Sequence, residues 1–191
     1  ATLHGVDLTQ RAVDHTRVRF DLLGLRSELS VGDAEKLSYG RDEFDLVYSW
    51  GVVHHSPDTP TAVGEIHRVL KPGGVAKVMI YHKYSFVGYM LWVRYALLGL
   101  RPRTSLDEIY SRYLESPGTK AYSIADARSL FGSFTTVQID TVLTHGDLLT
   151  SSAGQRHEGA LLRLVRIVWP RRIIRRLFPR SGLFMLITAE K

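Results

Sequence analysis

The sequence predicts an α/β fold, a doubly wound and mostly parallel sheet with helices on both faces. Short apolar segments alternate with helical stretches of roughly 10–15 residues, a pattern typical of βαβ units. Strong signals bound two of these helices: Thr9 and Gly24 flank the first, while Pro60 and the run 72–74 flank the second. In such sheets a ligand binds at the carboxyl ends of the strands. We therefore look for functional residues at those ends.

The first half of the chain supplies three predicted strands, at residues 3–8, 28–31 and 44–50. The segment 44–50 is apolar enough to indicate a strand covered on both faces. The helix that follows Thr9 has an imperfect apolar side, which we expect to be formed by Val13, Val18, Phe20, Leu22 and Leu23.

A second helix is predicted from a cap at Thr59, with Pro60 at its first position and the run 72–74 at its end. A strand at 75–81 follows. The apolar and aromatic run 84–100 contains Arg94, and a mid-run arginine costs about 2.5–3.5 kcal/mol on membrane-insertion scales. We expect a buried or lid-like helix there and no transmembrane span. Further along, a helix is predicted at 124–131 and strands at 134–144 and 183–189.

Composition indicates a globular chain. Of its 191 residues, 45% are apolar and 23% are charged, enough for one domain with a substantial core. The absence of cysteine excludes disulfides, thiolate nucleophiles and cysteine-ligated zinc. Residues 1–4 show no signal-peptide pattern, and we expect a cytoplasmic protein, peripheral to the membrane if the basic segment described next contacts lipid.

The positive charge is concentrated in one segment. Residues 156–182 contain eight arginines and one acid, Glu158, so this segment carries a net +7 and the remainder −1. Such a distribution argues against a general nucleic-acid-binding surface. After Pro170, four arginines fall on one helical face opposite four apolar residues, Ile173, Ile174, Leu177 and Phe178. Three interpretations stay open for residues 161–178: a helix that covers the sheet edge, a contact with a membrane surface or lipid-like substrate, and a nucleic-acid contact.

Residues 28–74 follow the order strand, acidic turn, strand, His-His turn, capped helix, Pro-Gly-Gly. This order, with Asp33-Ala34 and Lys71-Pro72-Gly73-Gly74, resembles the class I S-adenosylmethionine-dependent methyltransferases. The resemblance runs from about Gly5 to Tyr81 and resumes near Ser123. It implies a Rossmann-like fold with an antiparallel C-terminal edge, S-adenosylmethionine as cofactor, and methyltransferase activity.

The family's Gly-rich loop after its first strand has no counterpart here, because the chain opens in what looks like the second strand. We therefore expect an N-terminally incomplete sheet, split into two half-sheets with unpaired edges. The resemblance further implies a single domain over 1–191, with an apolar insert or lid at 82–120 and a basic amphipathic insert at 146–182.

Seven cofactor-binding residues are implied. Asp7, followed by Leu8, corresponds to the acid that accepts the ribose hydroxyls, although an acid here also suits nicotinamide-binding folds. Gly32, Asp33 and Ala34 correspond to the adenine-binding turn, where a carboxylate accepts from the exocyclic amine. Ser49 and Trp50 correspond to the rim beneath the methionine part. Plain turns at Asp7 and Asp33, and core packing of Trp50, are the alternatives.

Three histidines are candidate catalytic bases, since imidazole titrates near neutral pH. His54 and His55 form one turn and His82 follows the next strand; the alternatives are a loop-shaping role for the pair and a surface position for His82. We expect no metal, because no carboxylate or histidine cluster converges on these positions in the sequence. Methyl transfer depends mainly on alignment of donor and acceptor, so a base is not obligatory.

The function predicted is S-adenosylmethionine-dependent methyl transfer to a small-molecule acceptor, apolar or lipid-like. The insert at 82–120 and the basic segment would then flank one acceptor pocket. A non-enzymatic binding module with the same fold is the first alternative, and a nicotinamide-dependent oxidoreductase the second.

Overall fold

A computed structural model describes residues 2–150 and 165–191 of the chain. The strands are β1 (His4–Asp7), β2 (Glu28–Val31), β3 (Phe44–Trp50), β4 (Leu70–Tyr81), β5 (Thr136–Val142) and β6 (Phe184–Glu190). The α-helices are α1 (Gln10–Leu22), α2 (Thr59–Val69), α3 (Phe86–Trp92), α4 (Leu106–Ile109), α5 (Ile124–Leu130) and α6 (Arg171–Leu177). A 3₁₀ turn covers Val53–His55, and π-helical turns cover Val93–Leu97 and Tyr110–Leu114.

The strands form two sheets. β1 and β2 pair in parallel, with Asp7 opposite Val31. The other four strands have the order β3-β4-β6-β5, in which β3 and β4 are parallel and β6 runs antiparallel to both of its neighbours. This arrangement confirms the predicted α/β class and the antiparallel C-terminal edge. It also shows the predicted division into two half-sheets, because no described strand joins β1 to β3.

The main core lies on one face of the four-stranded sheet. Helices α2 and α5 cover this face, and their apolar side chains pack against alternate residues of β4 and β6. The cluster contains Ala62, Val63, Ile66, Ala127, Phe131, Val78, Ile80, Met185 and Ile187. Because consecutive strand residues point to opposite faces, the side chains between these belong to the other side of the sheet.

Among the described residues, the cluster that covers the other side packs around Met79 and Tyr81, near the carboxyl end of β4. Leu46, Tyr48 and Trp50 of β3 are 55%, 64% and 47% exposed. The prediction that β3 is covered on both faces is therefore wrong. The physical reason is that no described helix makes extensive contact with β3, whose main neighbour is the adjacent strand β4.

The predicted apolar side of helix α1 is also largely exposed to solvent. Of the five residues predicted to form its apolar side, only Val13 is buried, while Val18, Leu22 and Leu23 are exposed. The helix packs on the two-stranded sheet, which offers too narrow a surface to cover more of it. The predicted cap is correct, since the Thr9 side chain accepts from the Ala12 amide.

The predicted cap of α2 is one residue too late. Asp58 caps the helix by accepting from the Thr61 amide, and Thr59 is the first helical residue. The strand after it begins at Leu70 and includes Pro72 and Gly73, so this turn belongs to β4 and not to a loop. Gly73 has φ +76°, a conformation that favours glycine.

The apolar run after β4 forms a short helix and not a single long one. α3 gives way at Val93 to a π-helical turn, and the segment packs against α4. The contact is close at Gly88, where an added Cβ would lie 2.3 Å from the Tyr110 hydroxyl oxygen. That hydroxyl contacts Ser85 and donates to the carbonyls of His82 and Lys83, which fixes the insert over the end of β4.

In the part of the chain that the structure describes, no helix is long and apolar enough to cross a membrane.

Candidate functional site

The acidic turns predicted to hold the cofactor lie side by side. Pairing of β1 with β2 brings the carboxyl ends of both strands together, and the Gly32 amide donates to the Asp7 carbonyl at 3.0 Å. An added Cβ at Gly32 would lie 2.9 Å from the Val6 side chain, so this close approach favours glycine. Asp7 and Asp33 consequently project from the same end of the two-stranded sheet.

Each of these carboxylates uses one oxygen locally. Oδ1 of Asp7 accepts from the amide and hydroxyl of Thr9, and Oδ1 of Asp33 accepts from the Glu35 amide. These bonds are the turn contacts expected of such residues. The second oxygen of each carboxylate remains able to accept from a hydroxyl or an amine. The local geometry therefore fits the ribose and adenine groups of S-adenosylmethionine.

The remaining predicted cofactor residues are less enclosed. Leu8 is 71% exposed, Ala34 packs partly against the main core, and Ser49 is half-buried at the end of β3. Trp50 stacks on Tyr48 and meets the ring of Phe184 edge-on at 5.8 Å between centroids. Nearly half of Trp50 stays exposed, so packing alone does not account for this side chain.

Glu35 joins the turn after β2 to the His-His turn, a contact that the sequence did not reveal. Its Oε1 accepts from the Ser56 hydroxyl and, at 2.7 Å, from the Asp58 amide. One carboxylate therefore holds the segment after Asp33 against the start of α2. No local pattern signals this contact, because the partners are more than twenty residues apart.

His54 is fully buried in the turn after β3. In the described part of the chain neither of its ring nitrogens has a hydrogen-bond partner, and its ring centroid lies 4.3 Å from those of both His55 and Tyr81. Burial, with a smaller contribution from His55, lowers the pKa of His54 to about 3. The imidazole is therefore neutral at physiological pH. Because it has no proton relay, we do not assign His54 the predicted role of a base.

His55 lies between hydroxyl groups on one side and a carboxylate on the other. Its Nδ1 is 3.3 Å from the hydroxyl oxygens of Ser116 and Thr119, and its Nε2 is 3.4 Å from Oε2 of Glu115. The sequence predicted no carboxylate at this turn, and that expectation is wrong. The segment 115–120 folds back over the turn, where Lys120 donates to the carbonyls of Ser56 and Pro57.

Tyr81 connects this cluster to a large cavity. Burial, together with the Glu115 carboxylate that accepts from its hydroxyl, raises the pKa of Tyr81. The same ring stacks on Phe184, which in turn contacts Trp50. The residues predicted at the end of β3 and in the His-His turn are therefore brought together through two aromatic rings that the sequence did not single out.

The cavity has a volume of about 1320 Å³ and lies between α3, the end of β4 and the segments on both sides of 151–164. Aliphatic and aromatic side chains form most of its wall, including Phe86, Met90, Leu114, Leu148, Trp169 and Leu183. Tyr81 and Glu115 lie in this wall next to the histidine pair. Of the arginines that the structure describes, Arg94, Arg166 and Arg175 reach the cavity.

Asp147 anchors one wall of the cavity and was missed by the sequence analysis. This buried carboxylate accepts from the amides of Val87, Thr144 and Leu183, at 3.2, 2.8 and 2.9 Å, and from the Thr144 hydroxyl. It thereby joins α3 and the start of β6 to the chain after β5. The Thr-x-x-Asp spacing at 144–147 is a local signal that indicates such a turn.

His82 is not part of this cluster. It is buried, its Nδ1 lies 3.2 Å from the Gly182 carbonyl, and it does not line the cavity. Burial lowers the pKa of His82, an effect that the Gly182 carbonyl and Asp147 partly oppose. The surface position considered for it is wrong, and these contacts favour a structural role.

The basic segment is described from residue 165 onward, and the part of the predicted insert at 151–164 lies outside the described residues. Residues 165–168 are helical. Arg171 was expected on an exposed basic face, yet it donates to the carbonyls of Leu148, Leu149 and Arg166. Ile174 is buried, whereas Ile167, Val168, Ile173 and Leu177 are exposed beside Arg172 and Arg176.

Comparison with known proteins finds methyltransferases and proteins similar to them. Residues 1–78 match the family model described as "Methyltransferase domain". The chain is 33% identical over 107 residues to an uncharacterized protein of Mycobacterium tuberculosis, covering 56% of this chain and 38% of that protein. It is 37% identical over 71 residues to the chloroplastic 2-methyl-6-phytyl-1,4-hydroquinone methyltransferase 1 of Oryza sativa subsp. japonica. This match covers 37% of this chain and 21% of that protein.

The fold has a solved counterpart in an S-adenosylmethionine-dependent methyltransferase of Methanosarcina mazei. The TM-score is 0.61 at 15% identity, with 100% of this chain and 82% of that chain covered. Residues 1–78 are thus similar to a methyltransferase domain, and the chain has the Rossmann-like fold of S-adenosylmethionine-dependent methyltransferases. The chain spans less than two fifths of the length of the first curated relatives that it matches.

Proposed function

We propose that this chain serves S-adenosylmethionine-dependent methyl transfer to an apolar, lipid-like acceptor that binds in the cavity. One observation carries the acceptor class: a cavity of about 1320 Å³ with a mostly apolar wall opens beside the carboxyl ends of the parallel strands. Ligands of α/β sheets bind at those ends. An apolar wall of this extent favours a molecule with a long hydrocarbon portion.

The cofactor would be held by the residues that the resemblance indicates. Asp7 and Asp33 each keep one carboxylate oxygen for ribose and adenine. Ser49 and Trp50 would border the methionine part, where an aromatic face favours a cation. When bound, the cofactor supplies a methyl group on a sulfonium, whose carbon–sulfur bond breaks as the bond to the acceptor forms.

The chain's own contribution is alignment and the exclusion of water. Phe184 contacts both Trp50 and Tyr81, so the proposed cofactor rim and the cavity wall meet at this ring. An acceptor in the cavity would place its reactive group beside this ring and facing the cofactor rim, while its hydrocarbon part lies under α3. Holding two reactants in this way accounts for much of an enzyme's acceleration of a displacement reaction.

We further infer a peripheral contact with an anionic membrane through α6 and the turn before it. Exposed apolar residues and exposed arginines alternate there, and Arg175 of the same helix reaches the cavity wall. A helix of this kind lies in the interface plane with its arginines among lipid phosphates.

The relative that acts on a phytyl hydroquinone supports an acceptor with an apolar chain.

The acceptor proposal predicts that affinity rises with chain length. Titration of 4-alkylphenols of increasing chain length should give about fourfold tighter binding per added methylene, since each buried methylene contributes about 0.8 kcal/mol. The rise should stop once the cavity is full. The measurement is isothermal titration calorimetry at a fixed temperature, with the protein in a buffer that contains no detergent.

A matched pair of variants makes this result specific to the cavity. Met90→Trp places bulk in the cavity and should abolish the chain-length dependence, whereas Leu97→Trp alters an exposed residue of the same insert and should preserve it. Affinity that does not change with chain length, or that both variants change equally, would contradict an apolar acceptor cavity.

A further inference from the structure

We propose that His54, His55 and Glu115 bind one divalent transition-metal ion, of the Zn²⁺ type, at the polar end of the cavity. One ligand atom from each of these residues lies within 4.8 Å of those of the other two. The proposal concerns metal binding by these side chains and holds whether or not methyl transfer does.

The hydrogen bonds of Thr119 assign the tautomer of His55. The Thr119 hydroxyl donates its one proton to the Ser116 carbonyl at 2.7 Å, so toward His55 it accepts. When Nδ1 of the neutral His55 ring bonds to Thr119 it carries the proton, the Ser116 hydroxyl at 3.3 Å then accepts as well, and Nε2 presents its lone pair. That lone pair faces Oε2 of Glu115 at 3.4 Å. Two acceptors that face each other at this distance require a cation or a proton between them.

The contact between Nδ1 and the hydroxyls is itself typical of a metal-binding histidine. Such a histidine donates its second ring N–H to a nearby acceptor, which fixes the ring and its tautomer. Ser116 and Thr119 supply that acceptor here. The separation of Nε2 and Oε2 is also close to that of two ligands on one tetrahedral ion with metal–ligand distances of about 2.0–2.2 Å.

His54 provides the second and independent observation. Its side chain is completely buried, and neither ring nitrogen has a hydrogen-bond partner among residues 2–150 and 165–191. A buried polar atom without a partner destabilises the folded state, so native structures rarely retain one. Coordination of a metal ion would give the lone-pair nitrogen of this buried ring a partner. The turn Val53–His55 holds the two imidazoles 4.3 Å apart, within reach of one ion after a small closure.

The donor set defines the class of ion. Two neutral imidazoles and one carboxylate are borderline ligands, which suit Zn²⁺, Fe²⁺ and Co²⁺ better than Mg²⁺ or Ca²⁺. Three protein ligands leave a coordination position for a further oxygen donor. Because Glu115 and Tyr81 line the cavity, that position would be open to a hydroxyl group of a molecule bound there.

The test is a titration of tag-free, chelator-treated protein with Co²⁺, followed by its visible absorption, and a competing titration with Zn²⁺. The wild-type protein should bind one equivalent of Co²⁺ with the absorption of a nitrogen- and oxygen-ligated site, and Zn²⁺ should displace it. His55→Ala and Glu115→Gln should each weaken binding at least tenfold, whereas His15→Ala, at an exposed histidine of α1, should leave it unchanged.

Thermal unfolding shows whether each variant is folded, which distinguishes loss of a metal ligand from loss of the fold. Zn²⁺ should raise the Tm of the wild-type and His15→Ala proteins and should not raise the Tm of the two ligand variants, whose unfolding must itself remain cooperative. The proposal is overturned if the wild-type protein binds no equivalent of Co²⁺. It is equally overturned if folded His55→Ala and Glu115→Gln bind the ion as tightly as wild type.

Discussion

The packing of Gly88 against Tyr110 determines how the insert is held over the cavity. An added Cβ at Gly88 would lie 2.3 Å from the Tyr110 hydroxyl oxygen and 2.9 Å from its ring carbons. That hydroxyl binds the carbonyls of His82 and Lys83 at the end of β4. Gly88 is therefore favoured by packing and not by backbone conformation, because its helical φ and ψ angles would be equally suitable for alanine.

We expect Gly88→Ala to destabilise the protein by about 1–3 kcal/mol, the usual cost of overpacking a closely packed site. Gly64→Ala is the matched control, because Gly64 lies in α2 with open space around its Cβ position. That substitution should stabilise the protein by about 0.5–1 kcal/mol through helix propensity. Chemical denaturation of both variants measures the two effects; equal changes would refute the packing argument.

At the scale of single residues, the sequence predicted the positions of acids and caps better than their partners. Thr9 caps α1 as predicted, and Asp7 and Asp33 lie at strand ends as predicted. Glu35, Glu115 and Asp147 were missed. Two of them act across gaps that no local pattern reports: Glu35 reaches Ser56 and Glu115 reaches His55. Such contacts depend on the folded path of the chain.

Among the elements, periodicity located the strands and failed to predict their exposure. The strands β2 and β3 have the predicted bounds. Yet apolar content alone suggested that β3 is covered on both faces, whereas one face is open. Coverage depends on which elements lie against a strand, and composition does not report this. The lid-like helix was predicted without its π-helical turn for the same reason, since packing and not propensity sets its course.

Helix α6 and the turn before it are the elements on which membrane contact depends. Arg172 and Arg176 are exposed and lie beside exposed Ile173 and Leu177. Arg171 is engaged with backbone carbonyls and belongs to the fold. The proposal therefore assigns lipid contact to Arg172 and Arg176 and excludes Arg171 from it.

Reversing both charges, Arg172→Glu with Arg176→Glu, should weaken binding to phosphatidylserine-containing vesicles at least tenfold, because each basic residue near such a surface contributes about 1 kcal/mol. Arg11→Glu with Arg19→Glu changes the net charge equally at exposed positions of α1 and should have a much smaller effect. Sedimentation with vesicles measures both. Equal losses in the two variants would indicate an effect of total charge and would contradict a contact through α6.

For the whole molecule, the predicted α/β class, the antiparallel edge and the two half-sheets are all confirmed. Alternation of strands and helices is a long-range regularity and survives local errors, which explains this success. The cavity was predicted only as an apolar lid beside a basic segment. Its volume and its position next to the histidine pair depend on tertiary contacts of the insert, which neither periodicity nor motif spacing describes.

The central claim is that the acidic turns after β1 and β2 bind the cofactor. Isothermal titration with S-adenosylhomocysteine tests it most directly, on the chain as printed and on a form that carries further N-terminal residues. We predict one-to-one binding by at least the longer form. Asp33→Ala should weaken this binding by about tenfold or more, the value of a hydrogen bond to a charged group, and Asp45→Ala at an exposed residue of β3 should not. Absence of binding to both forms, or equal affinity of the Asp33→Ala protein, would contradict the account.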